Sequence, residues 1–169
     1  MDKVKDKRCI KNKSFDDLLT KLKGIQRKKV AVAVAQDEPV LEAVKEANDR
    51  GIADAILVGN KEEITLIAKN IGMDLNKFEI VNIEDPKKAA LHAVELVSTG
   101  RADMLMKGLL DTATFLRSVL NKEVGLRTGK LMSHVAVFEF FGIDRLILLS
   151  DAAFITYSVL KDKAQIIRT

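Results

Sequence analysis

Cysteine is nearly missing from this chain of 169 residues, which contains Cys9 and no other. A lone thiol has no disulfide partner, and that fits a reducing cytoplasm. The same scarcity, with only His92 and His134 beside it, disfavours a clustered zinc site. Cys9 itself reads as an incidental thiol in a polar leader, since a nucleophile needs an ordered activating pocket. Tryptophan is absent and tyrosine occurs once, so no basic stripe with interleaved aromatics marks a nucleic-acid surface. Two prolines and nine glycines leave no obvious interdomain linker. The most apolar run, Leu146 to Leu160, is too short for a bilayer and carries Asp151. No apolar stretch of signal-peptide length follows the basic N-terminus, so nothing marks the chain for export. Neither GxxxxGK[ST] nor GxGxxG occurs, which disfavours nucleotide binding by those two routes.

With 47% hydrophobic and 31% charged residues, the chain can bury one sizeable core. It reads as one domain, or one domain with an incomplete second. The net charge of +4 is local: Lys3, Lys5, Lys7, Arg8, Lys11 and Lys13 face only Asp2 and Asp6. Residues 1–13 are therefore expected to be a solvated, flexible leader, and the rest of the chain is balanced.

Helix and strand signals alternate from there. Ser14 stands three residues before Asp17 as a variant capping box, and Phe15, Leu18, Leu19 and Leu22 follow at helical spacing until Gly24. Lys28 to Ala35, KKVAVAVA, is a continuous apolar strand of the kind covered on both faces of a parallel sheet. Asp37-Glu38-Pro39 opens a helix whose apolar side is Val40, Leu41, Val44 and Ala47, ending at Gly51. Ala53 to Gly59 is a second strand. Asn60 with Glu63 starts a helix that Gly72 ends, with Ile64, Ile67, Ala68 and Ile71 on one side. Phe78 to Ile83 is a third strand, Asp85-Pro86 caps a helix running to Gly100, and a buried strand at Met104, Leu105 and Met106 follows. Four strands alternating with helices predict a doubly wound parallel sheet in a three-layer α/β/α fold. Beyond residue 130 the pattern changes. Leu131 to Phe138 and Arg145 to Leu149 are joined by a short turn around Phe141-Gly142, and read either as an antiparallel pair or as passage into another lobe.

The stretch from Asp103 to His134 carries the chemistry. Lys107 and Gly108 sit at the carboxyl end of a strand, where open α/β sheets bind ligands. Asp111, Thr112 and Thr114 begin a helix whose N–H groups favour negative charge. Lys107 reads either as a strand-end cap or as an anion ligand. Arg127, between Gly125 and Gly129, is either a solvated loop charge or a planar donor fork for phosphate or carboxylate. Ser133 and His134 do not read as a nucleophile and base, because adjacent strand residues face opposite ways. Each remains a candidate for contacting an anion singly. Asp151 is either a second ligand-facing group or a helix cap, and His92 reads as structural or surface.

The strings KGLLDTATFLRSVL, GLRTG, LMSHVAVFE and LILLSDAAF resemble the phosphate acetyl/butyryltransferase family, most of all its butyryl branch, from Phe15 to the end of the chain. That resemblance implies exchange of CoA and inorganic phosphate on a short-chain acyl group, acyl-CoA plus phosphate giving acyl phosphate plus CoA, a reaction of fatty acid fermentation. It implies an isocitrate/isopropylmalate dehydrogenase-like fold of two α/β lobes, commonly dimeric, cytoplasmic, with no nucleic-acid or membrane partner. CoA is a substrate there, and no bound cofactor or metal is required if phosphate attacks the thioester directly. Phosphate would lie near Lys107, Gly108, Thr112, Arg127, Ser133 and His134, with Asp151 close by. Family chains continue well beyond residue 169, so residues 14–139 are expected to form the first lobe and 140–169 only the start of the second. The acid–base group and most CoA contacts are expected beyond that point. After Asp151-Ala152-Ala153-Phe154 the butyryl pattern reads Asn-Thr-Tyr-Pro-Asp, whereas this chain has Ile155, Thr156, Tyr157, Ser158 and Val159. That departure puts activity of the chain alone in question and leaves a second reading, a non-catalytic module that holds phosphate or an acyl phosphate.

Overall fold

A computed structural model describes residues 14–22, 24–151, 153–155, 157 and 159–168. The leader with Cys9, and also Thr156 and Ser158, lie outside the described residues. Contacts divide the chain into two compact units: Ile25–Thr128, and the segments through Gly24 and from Gly129 onward. The 139/140 boundary expected from sequence falls inside the second of these.

The Ile25–Thr128 unit contains β1 (Lys28–Ala33), α2 (Glu38–Asp49), β2 (Ala53–Gly59), α3 (Lys61–Asn70), β3 (Glu79–Asn82), α4 (Pro86–Ser98), β4 (Met104–Lys107) and α5 (Thr112–Val119), after the α1 helix (Phe15–Leu22) of the other unit. The four strands are parallel in the order β3-β2-β1-β4. Val32, Ala35, Ala55 and Leu57 meet Leu41 and Val44 of α2 and Ile64 and Ala68 of α3 on one face. Ala31, Ala33, Ile56 and Val58 meet Ala89, Ala90, Ala93 and Leu96 of α4 on the other, with Phe115 of α5 packed against them. These are the three α/β/α layers predicted. The run KKVAVAVA feeds both clusters because alternate residues point to opposite faces and each face is covered.

Local chemistry sets the helix starts. The Asn60 side chain accepts from the N–H groups of Glu62 and Glu63, and the Asp85 carboxylate accepts from Lys88. At α2, by contrast, Asp37 makes no side-chain cap, and the helix begins on its early proline. Gly72 and Gly100, both at positive φ, follow α3 and α4 and turn the chain out of the helix.

Two strand expectations are corrected. β1 ends at Ala33 rather than Ala35, since Val34 takes φ 60, a conformation that a β-branched residue rarely adopts and that breaks the ladder. β4 is not a buried strand: it lies at the edge of the sheet with one paired neighbour, and Met104 is 47% exposed.

In the other unit, Ser14 accepts at its Oγ from Asp17 N–H, and the N–H of Phe15 donates to Glu139 (2.8 Å), so α1 is capped as predicted and by a distant carboxylate as well. β5 (Ala136–Phe138) and β6 (Ile147–Leu149) form an antiparallel two-stranded ribbon. β5 is shorter than the predicted Leu131 to Phe138, because the N–H of His134 goes to a carboxylate instead of a ladder partner. A terminal helix, α6 (Leu160–Arg168), was not predicted.

Candidate functional site

The strand order reverses between β1 and β4, where the chain first winds outward through β2 and β3 and then crosses back through α4. A crevice at such a reversal is where open α/β sheets place ligands. Lys107 closes β4 in register with Ala33 of β1. Gly108 N–H donates to the carbonyl of Ala33 and Leu109 N–H to that of Val34, each at 2.8 Å. A Cβ at Gly108 would come within 2.2 Å of the Val34 carbonyl oxygen, so glycine here admits the close approach of β1. The Lys107 ammonium donates to the Leu110 carbonyl at 2.8 Å and reaches the Gly108 carbonyl at 3.4 Å, which ties the strand end into a tight turn.

That turn delivers the start of α5. Asp111 Oδ1 accepts the Thr114 N–H at 2.8 Å, and the bonds from Thr114, hydroxyl first and then amide, hold the Asp111 carboxyl below its usual range. Thr112, the first helical residue, is exposed. The Asp111 carboxylate therefore already occupies part of the positive helix end that an incoming anion would use. Beyond α5, Asn121 Oδ1 accepts from Glu123 and Val124, and Leu126 N–H donates to the Val119 carbonyl at 2.8 Å. This closed turn projects Arg127 as an exposed cation with no hydrogen bond or ion pair among the described residues.

Ser133, His134 and Asp151 belong to the other unit. Ser133 and His134, expected as adjacent residues of a strand, lie in the loop before β5 instead, whereas Asp151 follows β6 as expected. The His134 N–H donates to Asp151 Oδ2 at 3.0 Å, and Ser150 Oγ donates to the His134 carbonyl at 2.8 Å. Asp151 Oδ1 accepts from Ala153 and Phe154 at 2.8 and 2.9 Å. The Phe154 amide first, then Ala153, and His134 more weakly hold the Asp151 carboxyl below its usual range. The His134 ring meets Phe154 edge-on, with centroids 6.2 Å apart and planes at 76°. Ser133 is half-buried.

His92 lies on α4, partly exposed, with Nδ1 3.1 Å from the Glu95 carboxylate. Sequence reasoning missed Gln36, a buried polar residue past β1 whose Oε1 accepts the Asn60 N–H at 3.3 Å. A glutamine ending an apolar run was the available signal. It also missed Phe154 as the partner of His134.

Two open grooves among the described residues lie elsewhere. One, of about 410 Å³, is lined by the mixed charges Arg27, Asn48, Asp49, Asp54 and Lys77, and the other, of about 620 Å³, by Ser14, Asp17 and residues 139–144. Neither is lined by the residues expected to bind an anion. Among the described residues, no group of three or more His, Cys, Asp or Glu is placed to hold a metal ion, and no helix is long and apolar enough to cross a membrane.

Residues 14–91 and 85–169 match the family model described as phosphate acetyl/butaryl transferase. The chain belongs to that family. It is 69% identical over 156 residues to phosphate butyryltransferase of Clostridium beijerinckii and 68% identical over 155 to that of Clostridium acetobutylicum, covering 92% of this chain and 52% of each relative. Phosphate acetyltransferase of Thermotoga maritima is 35% identical over 153 residues, again across 52% of its length. This member of the phosphate acetyl/butaryl transferase family thus spans about half the length of the curated relatives it matches. Its fold aligns with a branched-chain phosphotransacylase from Enterococcus faecalis at TM-score 0.68 and 26% identity, covering 83% of this chain and 49% of that one. The EutD phosphotransacetylase from Staphylococcus aureus aligns at TM-score 0.69 and 18% identity, covering 92% of this chain and 56% of that one, a likeness of fold alone.

Proposed function

We propose that this chain carries the phosphate side of an acyltransferase that exchanges CoA and inorganic phosphate on a short-chain acyl group. The observation that carries the reading is the 69% identity to a phosphate butyryltransferase across nearly the whole of this chain. In the reaction, a phosphate oxygen attacks the thioester carbonyl, a C–O bond forms, the C–S bond breaks, and the thiolate of CoA leaves. What these residues can each supply is orientation and charge: Lys107, the Gly108 turn, Thr112, Arg127, Ser133 and His134. Arg127 suits the role best, since its fork has no competing partner among the described residues. On this reading residues 140–169 begin a second lobe, the protein acts in the cytoplasm in short-chain acid fermentation, and the complete enzyme is a homodimer.

The test is thiol release from butyryl-CoA in the presence of phosphate, with this chain alone and with the half of the Clostridium beijerinckii enzyme that it does not span supplied in trans. Release with the added half is expected, and Arg127→Ala should raise the KM for phosphate roughly tenfold with a smaller change in kcat. No release even with the complement would sink the reading. Heat of phosphate binding without turnover would favour the non-catalytic, phosphate-holding alternative.

A further inference from the structure

His134 presents an unusual combination. Its Nδ1 is buried with no hydrogen-bond partner, the sole side-chain nitrogen or oxygen of that kind among the described residues. Orphaned buried N–H donors are rarer in folded proteins than under-satisfied acceptors, and a bare lone pair at Nδ1 avoids one, which favours the neutral tautomer with its proton on Nε2. A ring with one nitrogen sealed has only the other left for chemistry. What holds it there is its backbone. The His134 N–H is fastened to Asp151 Oδ2 and its carbonyl to the Ser150 hydroxyl, while Asp151 Oδ1 gathers the N–H groups of Ala153 and Phe154 and thereby sets the Phe154 ring edge-on to the imidazole. With three N–H groups on its two oxygens, Asp151 is occupied as an acceptor, and as a carboxylate it repels the anion that it was expected to contact.

We propose that Asp151 is a positioning residue that acts through His134, seating the imidazole against Phe154 as a single Nε2–H donor. The direction of that donor toward a phosphate or acyl-phosphate oxygen rests on the function proposed above, whereas the seating of the ring does not. Asp151→Asn separates the two bonds that the carboxylate makes. Its one remaining oxygen can keep the turn at Ala153 and Phe154, while an amide nitrogen, a donor, replaces the acceptor facing His134 N–H.

The experiment is ¹⁵N imidazole spectroscopy on the full chain at about pH 8.5, well above the ordinary imidazole value of about 6.5. His92, the one other histidine, serves as an internal reference, and the amide spectrum of Ile25–Thr128 as a fold control. The wild type is expected to show His134 as a single Nε2–H tautomer, and Asp151→Asn to lose that single pattern while His92 stays unchanged. Ser150→Ala removes the other backbone tie without touching a charge and should shift the ring in the same direction. That variant decides the matter if Asp151→Asn does not fold. A His134 ring unaltered in both variants, or altered only in Asp151→Ala where the turn is lost as well, would overturn the proposal. Titration with inorganic phosphate then adds the functional arm. Asp151→Asn should weaken binding about tenfold in the wild-type background and add nothing in a His134→Ala background, because the effect passes through that ring. Absence of any phosphate response in the wild type would count against the proposed function, while the tautomer comparison would still judge the role of Asp151.

Discussion

Two regions of this chain, similar in apolar content, come to opposite ends. Between Ala31 and Ala102 lie all the buried hydrophobic residues among those described, with Leu57, Ile64 and Val94 fully covered. From Gly129 onward no apolar side chain among the described residues is buried: Leu148 is 68% exposed and Phe141 completely so. Hydrophobicity alone does not build a core. β1 and β2 are central strands with helices on both faces, so their side chains are covered whichever way they point, whereas the β5–β6 ribbon has only two strands of three residues. A two-stranded ribbon has no central strand and is marginal by itself.

The largest test of this contrast is a matched pair of deletions. Leu57→Ala should cost about 3 kcal/mol through lost burial and a cavity, while Leu148→Ala should stay within about 0.5 kcal/mol, both read from urea unfolding. Equal costs would mean that the ribbon is covered in solution. A glycine pair sharpens the point. Gly108→Ala drives a methyl into the Val34 and Ala33 carbonyl oxygens and should cost on the order of 2–3 kcal/mol. Gly142→Ala, with open space around it but φ 81, should cost only about 1 kcal/mol of left-handed strain. Capping comes next: Asn60→Ala should destabilise the core unit by about 1 kcal/mol, and Asp37→Ala, which breaks no cap, by clearly less.

The smallest effect is acidic. Asp85 and Asp103 in the core unit, and Asp151 in the other, have carboxyl groups held below the ordinary range. The leading causes are the Lys88 amide for Asp85, the Lys28 ammonium for Asp103 and the Phe154 amide for Asp151. A lowered folded value means that their contribution is fully present above the unfolded value of about 3.9 and is lost as pH falls through the folded values. The urea midpoint should therefore hold from neutral pH to about 5 and decline from about pH 4 downward, less steeply in Asp85→Asn and Asp103→Asn. A decline already complete by pH 5 would contradict this assignment.

Much of the core unit was legible because its signals are local. Asn60, Asp85 and Asp111 cap helices within three residues of themselves, at the helix starts read from the sequence. The edge position of β4 was not legible. MLM reads as a buried strand, but exposure depends on which strands pair beside it, and that information lies far away in the chain. The candidate site divides along the same line. Lys107, Gly108 and Thr112 come together because they are neighbours in sequence. His134 and Asp151 are seventeen residues apart and meet through a backbone amide that no side-chain pattern announces.

By itself, then, the sequence determined the family, the alternation of strand and helix in the core unit, and the caps at Asn60 and Asp85, since each depends on side-chain types at short spacing. Only the tertiary structure decided three further things. Gly108 serves the approach of β1, the Lys107 ammonium closes its own turn, and the Asp151 carboxylate is taken up by amides rather than left facing a ligand. Each is a competition for hydrogen-bond partners, and the winner depends on which groups the fold brings within about 3 Å of one another.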